Sequence, residues 1–224
     1  MNREILIKAI LLIATLGIFI VAIFGVSFYS KTYSQIFRLS HIQIKELLIK
    51  HPSSCLKITT CKLWPGDILI RRYITSRTWA MDRLTHPYFT HSAMYIGDDY
   101  IVEAVGSEKR PGDDIQIAKL STSDWWDDNM NDWVVIRSKK IGTKIDTITA
   151  SLKTIASDPE YRFGFTQDEY KRATCADLIF RQLNNNGIIY TDNIPKIITP
   201  DYLFFTISQN LDFEIVGYNL PTEK

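Results

Sequence analysis

Residues 9–29 carry no charged side chain over 21 positions and consist almost wholly of Ile, Leu, Val, Phe and Ala. As a helix rising about 1.5 Å per residue, such a run spans ~30 Å, the thickness of a hydrocarbon core. It separates a segment suited to lipid from one that must fold in water. The run is longer than the apolar stretch of a secretory leader, and no small-x-small cleavage pattern precedes Lys31. It therefore reads as an uncleaved single-span anchor. Three parts are expected: a membrane anchor at 1–31, a juxtamembrane helix and linker at 32–63, and one globular domain at 64–224.

Two observations bear on which side of the membrane the domain lies. Arg3 and Lys8 precede the run, while Lys31, Arg38, Lys45 and Lys50 follow it, and counting those charges places the C-terminal side in the cytoplasm. The cysteines point the other way. Cys55 and Cys61 lie close together and leave Cys175 over, a division that suits an oxidising compartment if the first two are bridged. Two unlinked thiols in a reducing compartment is the other reading. Short basic N-termini often stay inside, so the expectation is a single-pass protein of a bacterial inner membrane with an extracytoplasmic domain. The net charge of +1 leaves no electrostatic footprint for nucleic acid. Trp64, Trp79, Trp125, Trp126 and Trp133 all fall outside the apolar run and favour a packed domain over a disordered tail.

The domain alternates short strand and helix signals. Apolar residues from Tyr33 to Lys50 recur at helical spacing, as a stalk, a membrane-surface helix or a packing arm would require. Strands are expected at 67–70, 90–96, 100–105, 133–137 and 213–218, the second and third joined as a hairpin at Gly97-Asp98-Asp99. Helices are expected at 75–84, at 145–155 ending before Asp158-Pro159, after Thr174, and from Thr199-Pro200 to about Ile207. The fold class is α+β, a small antiparallel sheet with packed helices behind one N-terminal transmembrane helix.

Thr174-Cys175-Ala176-Asp177 reads as a capping box that puts a cysteine in the first turn of a helix. There, unpaired N–H groups and the helix dipole favour the nucleophilic thiolate and can stabilise an oxyanion. A thiolate nucleophile needs a base. Of four histidines, His41 and His51 lie in the linker and His86 precedes a proline, whereas His91 opens a strand that can fix its ring. The hairpin decides whether Glu103 can orient that ring: if Ala93 faces Glu103 across an odd-length turn, His91 and Glu103 share a face; an even turn separates them. Packing is the ordinary role of each of these residues taken singly. No His-Glu-x-x-His, Cys-x-x-Cys, Gly-x-Ser-x-Gly or phosphate-loop motif is present, and the Asp124–Asp132 cluster lacks a calcium-loop pattern.

The motif order Gly66-Asp67-Ile68-Leu69, Thr90-His91-Ser92-Ala93-Met94-Tyr95-Ile96-Gly97, Ile101-Val102-Glu103-Ala104, Tyr161-Arg162-Phe163 and Thr174-Cys175-Ala176-Asp177-Leu178-Ile179 resembles the circularly permuted NlpC-like papain-fold hydrolases, the YiiX/YaeF/YebB group. The resemblance covers roughly Trp64 to Gly187. It departs at Ala176-Asp177, where Ser-Glu is common in that group. It implies a permuted papain-like domain with Cys175 as nucleophile, His91 as base and Glu103 as its orienting acid. It places Tyr161 at the pocket; Phe163, beside it in the motif, and Trp79, in the insertion before His91, join it as substrate-binding candidates. No metal or organic cofactor is called for. The implied function is a membrane-anchored thiol hydrolase of an amide or ester, with cell-wall peptide, another amide or an acyl lipid as substrate. A catalytically silent, tethered binding domain of the same fold is the alternative.

Overall fold

The computed structural model describes residues 36–55, 57–72, 87–105, 115–123, 125, 132–164, 171–191 and 194–220, with Thr15 alone before them. The expected span at 9–29, Thr15 apart, and the expected helix at 75–84, which carries Trp79, lie outside the described residues. Among the described residues no helix is long and apolar enough to cross a membrane. Contacts divide the chain into two compact units, residues 1–36 and 37–224.

The second unit is a mixed α+β structure around a six-stranded sheet. Its strands are β1 (Ile68–Arg72), β2 (His91–Gly97), β3 (Tyr100–Ala104), β4 (Ile115–Lys119), β5 (Asp132–Ser138) and, last in the chain, β8 (Phe213–Asn219). They lie in the order β4-β3-β2-β1-β5-β8, and every neighbouring pair is antiparallel. Two short parallel strands, β6 (Arg162–Phe163) and β7 (Arg172–Ala173), form a separate pair. The helices are α1 (His41–Leu48), α2 (Ile145–Ser157), α3 (Cys175–Asn185) and α4 (Pro200–Ser208).

Alternation along the strands gives the sheet two apolar faces. Ile68, Ile70, Met94, Val102, Val134 and Ile136 join the larger core with the helices. Leu69, Ala93, Ile101 and Val135 face a smaller core closed by Cys55, Trp125 and Trp133. Burial on both sides explains why β1 and β5 read as continuous apolar runs. Strand β4 was not among the expected strands. Its Ile115-Gln116-Ile117 alternation is a genuine strand signal, but a charged loop with Pro111-Gly112 runs directly into it.

The edge strand β8 is not left bare. Ser54 N–H donates to Val216 O (2.9 Å), and Tyr218 N–H donates to Ser53 Oγ (3.1 Å). Cys55 and Cys61 are joined by a disulfide that rests on Gly217, where any Cβ would overlap the Cys55 sulfur. The bridged loop thus covers backbone groups that would otherwise invite another strand.

In the segment expected as one helix over 33–50, the described residues 36–40 are not helical and the helix begins at His41. Ser40 Oγ accepts from Gln43 N–H (3.2 Å) while Gln43 Oε1 accepts from Ser40 N–H (2.8 Å), and this reciprocal cap fixes the first turn. Ile44 and Leu48 of α1 are fully buried in the larger core. One buried carboxylate fastens this arm. Asp201, in the first turn of α4, accepts from Leu39 N–H (2.9 Å), Tyr88 N–H (2.8 Å) and Phe89 N–H (2.7 Å). Thr199 Oγ1 donates to Phe37 O (3.0 Å), and the Phe37 ring lies between those of Tyr202 and Phe205. Asp201 therefore ties the entry of α1 to the segment leading into His91.

Asp201→Ala leaves three buried donors without an acceptor and is expected to cost about 3–5 kcal/mol in chemical denaturation of the full chain. Asp201→Asn is expected to recover little, because its amide nitrogen would face at least one of those donors.

Candidate active site

Cys175 is the first residue of α3. Thr174 before it is extended (φ −81°, ψ 171°), and its Oγ1 accepts from Asp177 N–H at 3.2 Å. The same hydroxyl donates to Ile198 O (3.2 Å), which locks the cap into the larger core. Only half of the expected capping box forms. The Asp177 carboxylate turns instead to Arg181 one turn on, accepting from its Nε at 3.0 Å. Leu178, Ile179 and Leu183 bury the helix face, and α3 packs across β2 and β3. At its far end Gly187 takes φ +63° after Asn184-Asn185-Asn186, the C-cap expected from that run. The thiol is thus fixed at the positive end of a helix dipole, beside first-turn N–H groups that have no partners within the helix.

His91 opens β2, and its Nε2 lies 2.7 Å from Glu103 Oε2. This meeting depends on one extra residue. The turn between β2 and β3 contains only Asp98 and Asp99, both at positive φ (51° and 68°), as an even two-residue hairpin requires. By itself that turn would set Glu103 opposite Met94 and on the wrong face. Between Tyr95 and Gly97, however, β2 spends two residues where β3 spends one, since Tyr95 faces Ile101 and Gly97 faces Tyr100. The bulge at Ile96 restores the pairing of Ala93 with Glu103 and brings His91 and Glu103 to one side of the sheet. The pairing of Ala93 with Glu103 that the shared face requires is thus present, but a bulge supplies it in place of an odd-length turn.

Glu103 is 5% exposed, and both its oxygens are occupied. Trp125 Nε1 donates to Oε2 (2.8 Å) and Gln116 Nε2 donates to Oε1 (2.8 Å). The Trp125 ring lies 5.4 Å from that of His91, and the Arg71 guanidinium covers it at 4.1 Å. Burial is the largest influence on Glu103 and would raise its carboxyl, yet the His91 bond and charge, with Trp125 and Gln116, hold it at about 2.

His91 and Cys175 lie close enough for each to shift the other's titration. With Nε2 on Glu103, Nδ1 is the nitrogen left to face the sulfur. Burial, again the largest influence, would strip the ring of its proton; Cys175 and Glu103 outweigh it and raise the imidazole to about 9. Burial likewise opposes the thiolate, but His91 and the hydroxyl and backbone N–H of Ser92 outweigh it and bring the thiol below its ordinary value. Ser92 is fully buried, and its Oγ has no hydrogen-bond partner among the described residues. The three groups share one proton economy: an ionised carboxylate, a protonated ring and a thiol biased towards thiolate.

Tyr161 and Phe163 are half-buried against the core cluster that contains Cys175. Neither Gln116, on the unforeseen β4, nor Trp125, expected only to help pack a domain, was among the expected site residues. No local pattern marks a tryptophan as a carboxylate donor. Among the described residues no group of three or more His, Cys, Asp or Glu side chains is placed to hold a metal ion.

No protein-family model matches the chain, and no curated protein matches it. Among solved structures, the crystal structure of metalloprotein yiiX from Escherichia coli O157:H7 aligns with 70% of this chain and 100% of that one, at a TM-score of 0.47 and 17% identity. At that level of likeness no residue role passes from one protein to the other.

Glu103→Gln is expected to lower the His91 pKa towards its ordinary value of about 6.5. Trp125→Phe, which removes one donor and keeps a ring beside His91, is expected to leave His91 raised, because Glu103 keeps its bonds to His91 and Gln116 and stays ionised where the ring titrates. Histidine NMR titration of both variants reads these outcomes.

Proposed function

We propose that this chain is a thiol hydrolase that acts through an acyl-enzyme on Cys175. The observation that carries the reading is the grouping of Cys175, His91 and Glu103, in which Glu103 holds the His91 ring at 2.7 Å, the ring and the thiol shift each other's titration, and the sulfur sits at a helix N-terminus. The Cys175 thiolate attacks the carbonyl carbon of an amide or ester, and a sulfur–carbon bond forms as the carbonyl oxygen becomes an oxyanion. First-turn N–H groups of α3, that of Cys175 foremost, face that oxygen. The oxyanion collapses, the bond to the leaving amine or alcohol breaks, and His91 gives that group its proton. Water then attacks the thioester while His91 accepts a proton, releasing the acid and restoring the starting pair. Glu103 keeps the ring charged and aimed throughout. No step requires a metal or an organic cofactor.

The cysteine-on-helix, histidine-on-strand arrangement supports the permuted papain-like, NlpC-like reading. The anchor at 9–29, the bacterial inner membrane and an extracytoplasmic domain remain part of the proposal. The Cys55–Cys61 bridge supports that side, because disulfides persist in oxidising compartments. Cell-wall peptides, other amides and acyl lipids are the substrates in reach of such a domain.

Cys175→Ala is expected to abolish labelling of the full chain by a thiol-directed acyl probe; undiminished labelling would remove Cys175 from the mechanism. The pH profile has a definite sign. The reactive state is thiolate with imidazolium, so iodoacetamide alkylation of Cys175 is expected to proceed with an apparent pKa below the ~8.5 of an ordinary thiol. Turnover is expected to fall as pH rises through about 9, where His91 loses its proton. An apparent thiol pKa near 8.5 would favour the silent binding domain. Release of fatty acid from acyl lipids with no cleavage of wall fragments would reject a peptidase.

A further inference from the structure

We infer that the outward face of α1 lies on an anionic lipid bilayer and that the domain meets the membrane through this helix. The inference is motivated by the anchor reading of 9–29 but has its own observations.

The helix α1 has two apolar sides. Ile44 and Leu48 are buried in the core, whereas Ile42 and Ile49 are 64% and 70% exposed. At about 100° per residue, Ile42 and Ile49 fall within ~20° of each other, roughly opposite the buried pair. Lys45 and Glu46 flank this outer stripe, and Lys50 follows it. A polar outer face is the rule for a helix packed on a soluble domain. Two exposed β-branched residues in line, bordered mainly by lysine, have instead the character of an interfacial helix.

The chain itself says what covers them. Residues 30–40 separate α1 from the apolar run, and that stretch reaches at most ~40 Å. If the run is embedded, α1 cannot leave the neighbourhood of the bilayer. Two isoleucines give a weak surface affinity, but a tether this short supplies a millimolar-scale effective concentration, enough to populate a weak contact. Lys45 and Lys50 complement an anionic leaflet, and Glu46 offsets part of that attraction.

The consequence reaches the candidate site. The His41 ring of α1 stacks on Tyr88 at 5.4 Å, and Asp201 holds Leu39, Tyr88 and Phe89 together just ahead of His91. Contact of α1 with lipid therefore fixes how the His91 end of the sheet is presented to the bilayer, which favours a substrate that approaches from the membrane.

The test uses the full chain in vesicles of phosphatidylcholine and phosphatidylglycerol at about three to one. In a Cys175→Ala background, Ile42→Cys, Ile49→Cys and, as the aqueous reference, Leu211→Cys (91% exposed) are labelled with an environment-sensitive fluorophore. Labels at 42 and 49 are expected to be quenched by nitroxide lipids and shielded several-fold from iodide relative to 211. Iodide access equal to that at 211 overturns the inference. Shielding from iodide without lipid quenching also overturns it, because a protein partner then covers the face. Alkaline extraction separates this result from the anchor reading. A chain released by carbonate, whose labels were lipid-quenched beforehand, has lost the anchor proposal while the surface contact stands.

Discussion

An ionised carboxylate inside a protein is tolerated only where its charge and lone pairs are met, and Glu103 meets that demand with three partners. His91, Trp125 and Gln116 reach it from β2, from the segment before β5 and from β4. Each depends on a different long-range placement, so the carboxylate acts as a check on the assembly. If β4 slips by one residue, Gln116 turns away; if the β2–β3 hairpin loses its bulge, His91 does. Breaking a buried pair of this kind is far more disruptive than the net strength of the pair would suggest, because the surviving charge has nowhere to go.

The same logic is repeated on the other side of the sheet. Asp201 is fully buried and gathers backbone N–H groups from Leu39 and from Tyr88-Phe89, two segments distant in sequence from each other and from α4. Backbone donors at a crossing of three segments cannot pair as a sheet or helix would pair them, so a side-chain acceptor takes that role. The arm before the globular domain is thereby part of its core, and the entry to β2 is held from both faces: Asp201 from the helix side, Glu103 from the other. That is why a histidine at the first position of a strand, an end that would ordinarily fray, can hold a fixed ring.

Much of this was legible along the chain. The central strands and the helices at 145 and 175 follow from apolar periodicity and from caps whose chemistry is local. Thr174 caps α3 as its type predicts, yet Asp177 prefers Arg181, a competition between partners that the Thr-x-x-Asp pattern does not encode. Ser40-x-x-Gln43 was an equally local signal and marked the true start of α1, but it was masked by the apolar recurrence running through it. The strand β4 was hidden by its neighbouring loop, and with it the role of Gln116.

By itself the sequence determined which residue types were available and where helices would begin, because caps, turns and periodicity act over a few residues. It placed a thiol at a helix start, a histidine on a strand and a glutamate on the next strand. Whether the last two faced each other was decided only in three dimensions. A strand flips its side chains with every residue, so one inserted residue at Ile96, without a sequence signature, selects between a paired and an unpaired ring. The donors that keep Glu103 ionised were likewise chosen by the packing of separate segments, which no local pattern records.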